Sequence, residues 1–229
     1  MEVVQVLHKC VELFSEYFPF WDKLSEQQKE KLCSSTMFTK FNKGQNIHGA
    51  SSECTGVILL KSGIMRAYLL SEEGKEVTLY RLYSGDICML SAACAIQNIT
   101  FDVFVDAEED CDAYIINSRA FSELMSECIE AENFALRTTT ARFSDVIWAM
   151  QQILFMSFDK RLAVFLIDEL AKNGSDTVKM TQEQIAKYMG SAREVVSRML
   201  KYFAFEGIVE VSRGGVKVID KNRLRNIAF

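Results

Sequence analysis

The chain has 229 residues, of which 49% are hydrophobic and 25% charged, with 11 glycines and a single proline. This balance excludes an intrinsically disordered protein, and the length suffices for two domains of ordinary size. The net charge of -5 argues against a nucleic-acid partner for the chain as a whole. Residues 157–229, however, carry 13 basic against 9 acidic residues, a net charge of +4, so we expect any contact with phosphate there.

Membrane and export signals are missing from the sequence. No stretch approaches the roughly 20 apolar residues of a membrane helix, and the first ten residues lack the basic start and apolar run of a secretion signal. We therefore expect a cytoplasmic protein without membrane contact. Seven cysteines, an odd number, favour reduced thiols over a disulfide framework. No metal-ligand spacing, nucleophile–base pair or glycine-rich phosphate loop occurs, so we expect neither a metal site nor an enzyme.

The N-terminal half predicts two short helices followed by a β unit. Val3–Tyr17 and Ser25–Cys33 show helical spacing of apolar residues, and Ser25 with Gln28 forms a capping box. From about Met37 to Asn117 the chain changes to short β-branched and aromatic runs separated by glycine turns, which is typical of antiparallel strands. The strands that we predict are Gly56–Leu60, Ile64–Leu70, Glu76–Tyr83, Phe101–Ala107 and Asp112–Ile116.

A long helix is predicted next, because no glycine or proline interrupts residues 133–158. Apolar side chains recur there at alternating intervals of three and four residues, which is the seam of a two-helix packing. The pattern favours a dimerisation helix at 133–156, and the alternative is an ordinary helix buried within one subunit. The predicted seam comprises Leu136, Thr139, Phe143, Val146, Met150 and Ile153.

The segment from Met180 to Ile208 has the pattern of a helix-turn-helix. Thr181 and Gln184 form a capping box, Gly190 ends the first helix, and Ser191 is predicted to cap the second. Exposed side chains in the first two turns of a recognition helix can reach base edges in the major groove. A basic turn after Gly207 predicts a two-stranded wing that contacts phosphate. The candidate DNA-binding residues are Thr181, Gln182, Ser191, Arg193, Glu194, Ser197, Arg198 and Arg213.

These residues resemble the Crp/Fnr family, named for the cyclic AMP receptor protein and the fumarate and nitrate reduction regulator. Its motif G-x-x-R-E-x-x-x-R is satisfied by Gly190, Arg193, Glu194 and Arg198. The resemblance implies an α+β fold with a double-stranded, jelly-roll-like β-roll as sensor domain at 1–132, a dimerisation helix at 133–156 and a winged helix-turn-helix at 157–229. It also implies a bacterial homodimeric transcription regulator that binds palindromic double-stranded DNA, with RNA polymerase as a further candidate partner.

The same resemblance argues against cyclic AMP as the effector. The glutamate that holds ribose in cyclic-AMP-binding members falls at Leu90, and the phosphate-binding arginine falls near Thr100 or Phe101, with no Lys or Arg between Gln97 and Asp112. A cyclic phosphate would then lack a counter-charge, which is costly in a buried site. The effector is therefore unknown and is expected to be apolar or uncharged, with no cofactor implied. The candidate pocket comprises Cys88, Met89, Leu90, Ser91, Phe101, Phe104, Val146 and Ile147.

Two alternatives stay open at this point. Cys88 and Cys94 flank the pocket segment and suit a thiol switch, although small buried cysteines are more often packing residues. An iron–sulfur cluster is disfavoured because successive cysteines lie at least six residues apart. The second alternative is a signalling module whose winged helix contacts protein rather than DNA.

Overall fold

A computed structural model of the chain describes residues 10, 13–49, 55–92 and 103–229. Contacts within the chain define two units, one formed by Met1–Tyr68 with Leu79–Asp145 and the other by Leu69–Thr78 with Val146–Phe229. The α+β class predicted from the sequence is confirmed, since sheets occupy the N-terminal part and helices dominate from residue 118 onward.

The β-roll consists of two four-stranded sheets with the orders β1-β8-β3-β6 and β2-β7-β4-β5. β1 pairs antiparallel with β8 from Thr36 opposite Ile116 to Phe41 opposite Cys111. The strands are β1 (Thr36–Phe41), β2 (Asn46–His48), β3 (Val57–Ser62), β4 (Met65–Leu70), β5 (Glu76–Leu82), β6 (Ile87–Cys88), β7 (Phe104–Ala107) and β8 (Cys111–Ile116).

The predicted strands are present with shifted ends, and three strands were missed. The segment predicted at Phe101–Ala107 is a strand only from Phe104, and residues 101 and 102 lie outside the described part of the chain. The missed strands are β1, β2 and β6. β1 lies at the edge of its sheet, and its exposure does not alternate regularly, so it lacks the period of two that identifies a half-buried strand.

Aromatic residues form the core of the first unit. Phe14, Phe18 and Phe121 are fully buried and pack with residues of the sheet and of the flanking helices. Helix α1 (Glu26–Ser34) follows a short 3₁₀ helix at Trp21–Lys23, and both bonds of its predicted capping box are present. Of the predicted helix Val3–Tyr17, residues 13–17 are helical, and most of the rest lies outside the described residues. Helix α2 (Ser118–Glu127) completes this core.

A disulfide corrects the expectation that all thiols are reduced. Cys10 and Cys33 are bonded, with Cα atoms 5.8 Å apart. The pairing depends on how the N-terminal segment packs on α1, which the separation of 23 residues does not encode. Three further cysteines of the described chain, Cys88, Cys111 and Cys128, are buried free thiols. Cys54 and Cys94 lie outside the described residues.

Helix α3 (Ile129–Phe155) is the longest helix of the described chain, with 27 residues. It begins four residues before the predicted start at residue 133 and ends one residue before the predicted end at residue 156. It ends because Ser157 has extended backbone angles and serves as the N-cap of the next helix. Only Ala131 and Ala135 of α3 are buried in the single chain. Among the described helices, none is long and apolar enough to span a membrane.

The second unit is a helical domain with a small sheet. Helix α4 (Phe158–Asn173) packs on α7 (Lys221–Ala228), and their apolar faces share one core with the helices between them. Strands β9 (Thr177–Val178), β10 (Val209–Ser212) and β11 (Gly215–Val218) form one antiparallel sheet in the order β10-β11-β9. The predicted two-stranded wing therefore has a third strand, in which Val178 lies opposite Val216.

Candidate nucleic-acid interface

Helix α5 (Gln182–Met189) begins and ends as its sequence predicts. The Thr181 hydroxyl accepts a hydrogen bond from the Gln184 amide at 3.2 Å, and the Gln184 side chain accepts one from the Thr181 amide at 2.8 Å. Gly190 ends the helix with a φ of 58°, and the Ser191 amide donates to the Ala186 carbonyl at 3.0 Å. This is a Schellman-type ending, which needs a residue that tolerates positive φ.

The predicted cap of the second helix is wrong. Helix α6 (Arg193–Phe205) has Ala192 as its N-cap, without a side-chain hydrogen bond to the first turn. Ser191 does not fill this position because the first helical amides of α6 donate to the Ala192 carbonyl, whereas the Ser191 amide closes the end of α5. The turn is therefore one residue longer than predicted, and the first amides of α6 lack a capping side chain, which leaves them open to an external acceptor.

Helix α6 divides cleanly into a buried face and an exposed face. Val196, Leu200 and Phe203 are fully buried in the core of the second unit. Arg193, Glu194 and Arg198 are exposed, and Ser197 is half-buried beside them. The exposed side continues along the helix through Lys201, Tyr202 and Phe205, which the sequence analysis did not single out. Their positions three, four and seven residues after Arg198, which lie on the same side of a helix, were the available signal.

Four of the predicted DNA-binding residues meet at one groove. A groove of about 350 Å³ is lined by Thr181, Gln182, Arg193 and Arg213, which come from the start of α5, the start of α6 and the tip of the wing. Glu194, Ser197 and Arg198 continue from it along the face of α6, whereas Ser191 lies in the turn. The groove therefore joins the recognition helix to the wing as one surface.

The arginines of this surface differ from two other cations of the second unit. Within the described chain, Arg193, Arg198 and Arg213 form no ion pair. Away from the surface, Arg223 pairs with Glu206 at 2.9 Å, and Lys221 pairs with Asp176. Unpaired guanidinium groups on an exposed helix face and wing tip are suited to bind phosphate and base edges.

Arg161 connects α4 to the helix-turn-helix. Its guanidinium lies 5.4 Å from the centre of the Phe158 ring and donates to the Met189 carbonyl at 3.3 Å, just before Gly190. Burial lowers the pKa of Arg161. This contact holds the C-terminus of α5 next to the turn, and the sequence analysis did not single out Arg161.

The predicted effector-pocket residues are found in different environments. Cys88, Met89 and Leu90 are buried in the β-roll, and the buried Ser91 hydroxyl donates to the Gly56 and Cys88 carbonyls at 2.7 and 3.0 Å. The Phe104 ring stacks on Tyr68 with centroids 5.5 Å apart. Val146 and Ile147 lie on α3 and are half-buried and exposed, respectively. Phe101 lies outside the described residues.

Arginines that the sequence analysis overlooked lie in the β-roll. Arg66 contacts Asp106 and Glu108 at 3.8 Å, and Arg81 contacts Glu108 at 3.0 Å. Arg142, from α3, donates to Asp86 at 2.8 Å, so its positive charge is also matched by a carboxylate. These arginines lie outside the segment from Gln97 to Asp112, in which the sequence has no counter-charge.

The predicted dimer seam is largely exposed in the single chain. Leu136, Phe143, Met150 and Ile153 are exposed, with Phe143 at 62%. Val146 is half-buried, and the Thr139 hydroxyl donates to the Ala135 carbonyl of its own helix at 2.8 Å. An apolar stripe of this length on a helix marks a contact surface.

Two family models match the chain. The model of the cyclic nucleotide-binding domain matches residues 38–128, and that of the Crp-like helix-turn-helix domain matches residues 160–227. A protein from Eubacterium rectale, described as a transcriptional regulator of the Crp/Fnr family, is 41% identical in sequence and has a TM-score of 0.89. The match covers 93% of this chain and 99% of that one.

More distant relatives are regulators as well. The anaerobic regulatory protein of Haemophilus influenzae is 24% identical over 88% of this chain and 80% of its own length. The cAMP-activated global transcriptional regulator Vfr of Pseudomonas aeruginosa is 23% identical over 80% of this chain and 89% of its own length. Regulators of this kind bind DNA and act as dimers. With its β-roll, its winged helix-turn-helix and these matches over nearly its full length, the chain belongs to the Crp/Fnr family of transcription regulators.

Proposed function

We propose that the chain forms a homodimer whose two recognition helices bind a palindromic DNA site, and that a small effector other than cyclic AMP, held in the β-roll, controls this binding. The observation that carries the proposal is the set of unpaired arginines on α6 and the wing, since Arg193, Arg198 and Arg213 have no carboxylate partner in the described chain. In this proposal Arg193 and Arg198 read bases, and Arg213 contacts the backbone.

Dimerisation through α3 supports the palindromic site. Pairing along the seam from Leu136 to Ile153 would relate the two winged helix-turn-helix domains of the dimer by a two-fold axis. The DNA site would share that symmetry. A cytoplasmic location and a contact with RNA polymerase belong to the same proposal.

An effector other than cyclic AMP is supported by side chains in the β-roll. Leu90, at the position of the ribose-binding glutamate, is buried and apolar. Val146 and Ile147 of the candidate pocket carry no polar side-chain group. The arginines of the β-roll already face carboxylates, so a cyclic phosphate would have to compete with them.

A thiol switch at Cys88 and Cys94 is less well supported. Cys88 is fully buried, and a buried thiol is poorly accessible to an oxidant. Cys94 lies outside the described residues.

Selection of binding sites from a random pool of duplex DNA tests the proposal. With purified protein at about 0.15 M salt, where distant surface charges are screened, we expect enrichment of two inverted half-sites about one DNA turn apart. The Arg193→Ala, Arg198→Ala double variant is the matched control and should enrich no motif. Failure of the natural protein to enrich a palindrome would overturn the proposal.

A further inference from the structure

The β-roll contains a buried hydroxyl without a nitrogen or oxygen partner in the described chain. Tyr80 lies on β5 and is only 7% exposed, and its hydroxyl interacts with the Cys88 thiol, which is a weak acceptor. Buried polar groups of native proteins are almost always hydrogen-bonded, and an exception calls for an explanation such as a ligand or an ordered water. The neighbouring Arg142 side chain helps to choose between a ligand and an ordered water.

Arg142 is in direct contact with this tyrosine. Its guanidinium carbon lies 5.1 Å from the centre of the Tyr80 ring. Its two terminal nitrogens donate to Asp86 at 2.8 Å and to Asp145 at 3.2 Å, whereas its Nε is buried without a partner. Two neighbouring side chains therefore each retain one hydrogen-bond donor without a nitrogen or oxygen partner in the described chain, and both donors are shielded from water.

The protonation states of both groups are fixed near neutral pH. Burial, followed by the neighbouring Cys88 side chain, raises the pKa of Tyr80 well above its ordinary value, so the phenol keeps its proton. Burial lowers the pKa of Arg142, but Asp86 and Asp145 outweigh this effect and leave it raised. Both groups can therefore donate, and a ligand that satisfies them must supply acceptors.

The surrounding charges disfavour an anion. One arginine faces two carboxylates, so the charges of Arg142, Asp86 and Asp145 sum to one negative charge. An anionic ligand would have to displace Asp86 or Asp145 from the guanidinium, and the released carboxylate would then repel it.

We propose that the effector of the β-roll is an uncharged small molecule with a carbonyl or ether oxygen that accepts hydrogen bonds from the Tyr80 hydroxyl and from Arg142 Nε. The inference rests on the proposed function, in which the β-roll controls DNA binding. It adds the chemical class of the ligand and two residues that contact it.

The first test uses protein without any ligand. If the Tyr80 hydroxyl is kept for a ligand, its removal relieves an unsatisfied group, and Tyr80→Phe should raise the Tm by about 2–4 °C. Native mass spectrometry verifies that no small molecule is bound. Tyr114→Phe is the control, since Tyr114 is a half-buried tyrosine of the same unit whose ring packs against Phe38. A fall in the Tm of Tyr80→Phe would overturn the proposal, because the hydroxyl would then stabilise the protein by itself.

The second test compares two probes of nearly the same shape. Acetophenone is uncharged and has a carbonyl oxygen, whereas benzoate replaces its methyl group by a charged oxygen. At about 10 mM we expect acetophenone to raise the Tm of the natural protein, to raise that of Tyr80→Phe less, and to act on Tyr114→Phe as on the natural protein. Benzoate should give no shift. A larger shift with benzoate, an equal shift of Tyr80→Phe with acetophenone, or no shift with either probe would each overturn the proposal.

Specific DNA binding separates this inference from the proposed function. If the natural protein selects no palindrome, the proposed regulator fails whatever the probes show. If it selects a palindrome and Tyr80→Phe lowers the Tm, the regulator stands and the ligand assignment fails.

Discussion

The arginines of the β-roll differ in burial and in pairing from those of the reading surface, which comprises the exposed face of α6 and the wing tip. Arg66 and Arg142 are shielded from solvent and face carboxylates at 2.8–3.8 Å. Arg193, Arg198 and Arg213 are exposed and have no carboxylate partner in the described chain. An arginine can stabilise the fold through an ion pair, or it can remain free to bind a partner molecule. The number of arginines therefore says little about function, and their pairing says much more.

Arg66→Ala should give the largest loss of stability. Removing this buried cation leaves Asp106 and Glu108 without one of their partners, and breaking a buried ion pair from one side costs about 3–5 kcal/mol. Urea unfolding measures the change. Arg213→Ala is the control and should change the free energy of unfolding by less than about 0.5 kcal/mol, because its side chain is exposed and unpaired. Equal losses of stability in Arg66→Ala and Arg213→Ala would contradict the difference between the β-roll and the reading surface.

Reduction of the disulfide should be the next largest effect, and it should be confined to the first unit. Cys10 and Cys33 close a loop of 23 residues in sequence separation, for which chain entropy predicts about 3 kcal/mol. All seven cysteines lie between residues 10 and 128, so the second unit has no thiol to respond. Urea unfolding with and without dithiothreitol measures this. A Cys10→Ser, Cys33→Ser variant should be insensitive to dithiothreitol, and an insensitive natural protein would contradict the prediction.

Arg193→Ala and Arg198→Ala should each weaken binding to the selected DNA by roughly 1 to 3 kcal/mol while leaving binding to random DNA much less affected. Arg213→Ala should weaken both by a similar amount and reduce the salt dependence by about one phosphate contact. Fluorescence anisotropy titrations at several salt concentrations measure these quantities. Should Arg193→Ala lose affinity equally on both DNAs, this side chain contacts phosphate and does not read bases.

The smallest effect concerns the start of α6. Ala192→Ser should add a side-chain acceptor at an N-cap that now has none, which stabilises a helix by about 0.5–1 kcal/mol. Ser191→Ala is the matched control and should be nearly neutral, because Ser191 does not cap the helix. Thermal unfolding and amide exchange in the first turn of α6 report the difference. A loss of stability in Ser191→Ala would instead indicate that Ser191 caps α6, as the sequence predicts.

Local interactions were the ones that the sequence predicted well. The capping box of Thr181 and Gln184 joins residues three apart, and Gly190 takes positive φ because of its own lack of a side chain. Both can be recognised without knowing the fold. Ser191 was misassigned because two local patterns compete for it, and the closing bond of α5 to the Ala186 carbonyl takes precedence over the cap.

Contacts between distant residues could not be predicted. Arg142 and Asp86 are 56 residues apart, and their pairing requires α3 to pack on the turn that begins β6. The unsatisfied Tyr80 hydroxyl is a property of the whole interior and has no signature in the residues around it. The reading surface, in contrast, is built from a continuous segment and a wing tip, so most of it could be predicted.

The sparse burial of α3 has a consequence for how the cell sets the activity of this regulator. Only Ala131 and Ala135 of its 27 residues are fully buried within one chain, so in the proposed dimer a second copy would cover much of the remaining apolar surface. Below the dissociation constant of that dimer, the number of dimers, and with it the occupancy of the proposed palindromic site, would rise with the square of the amount of chain made. Doubling gene dosage would then raise this occupancy up to fourfold, so the expression level itself would act as a signal alongside the proposed effector.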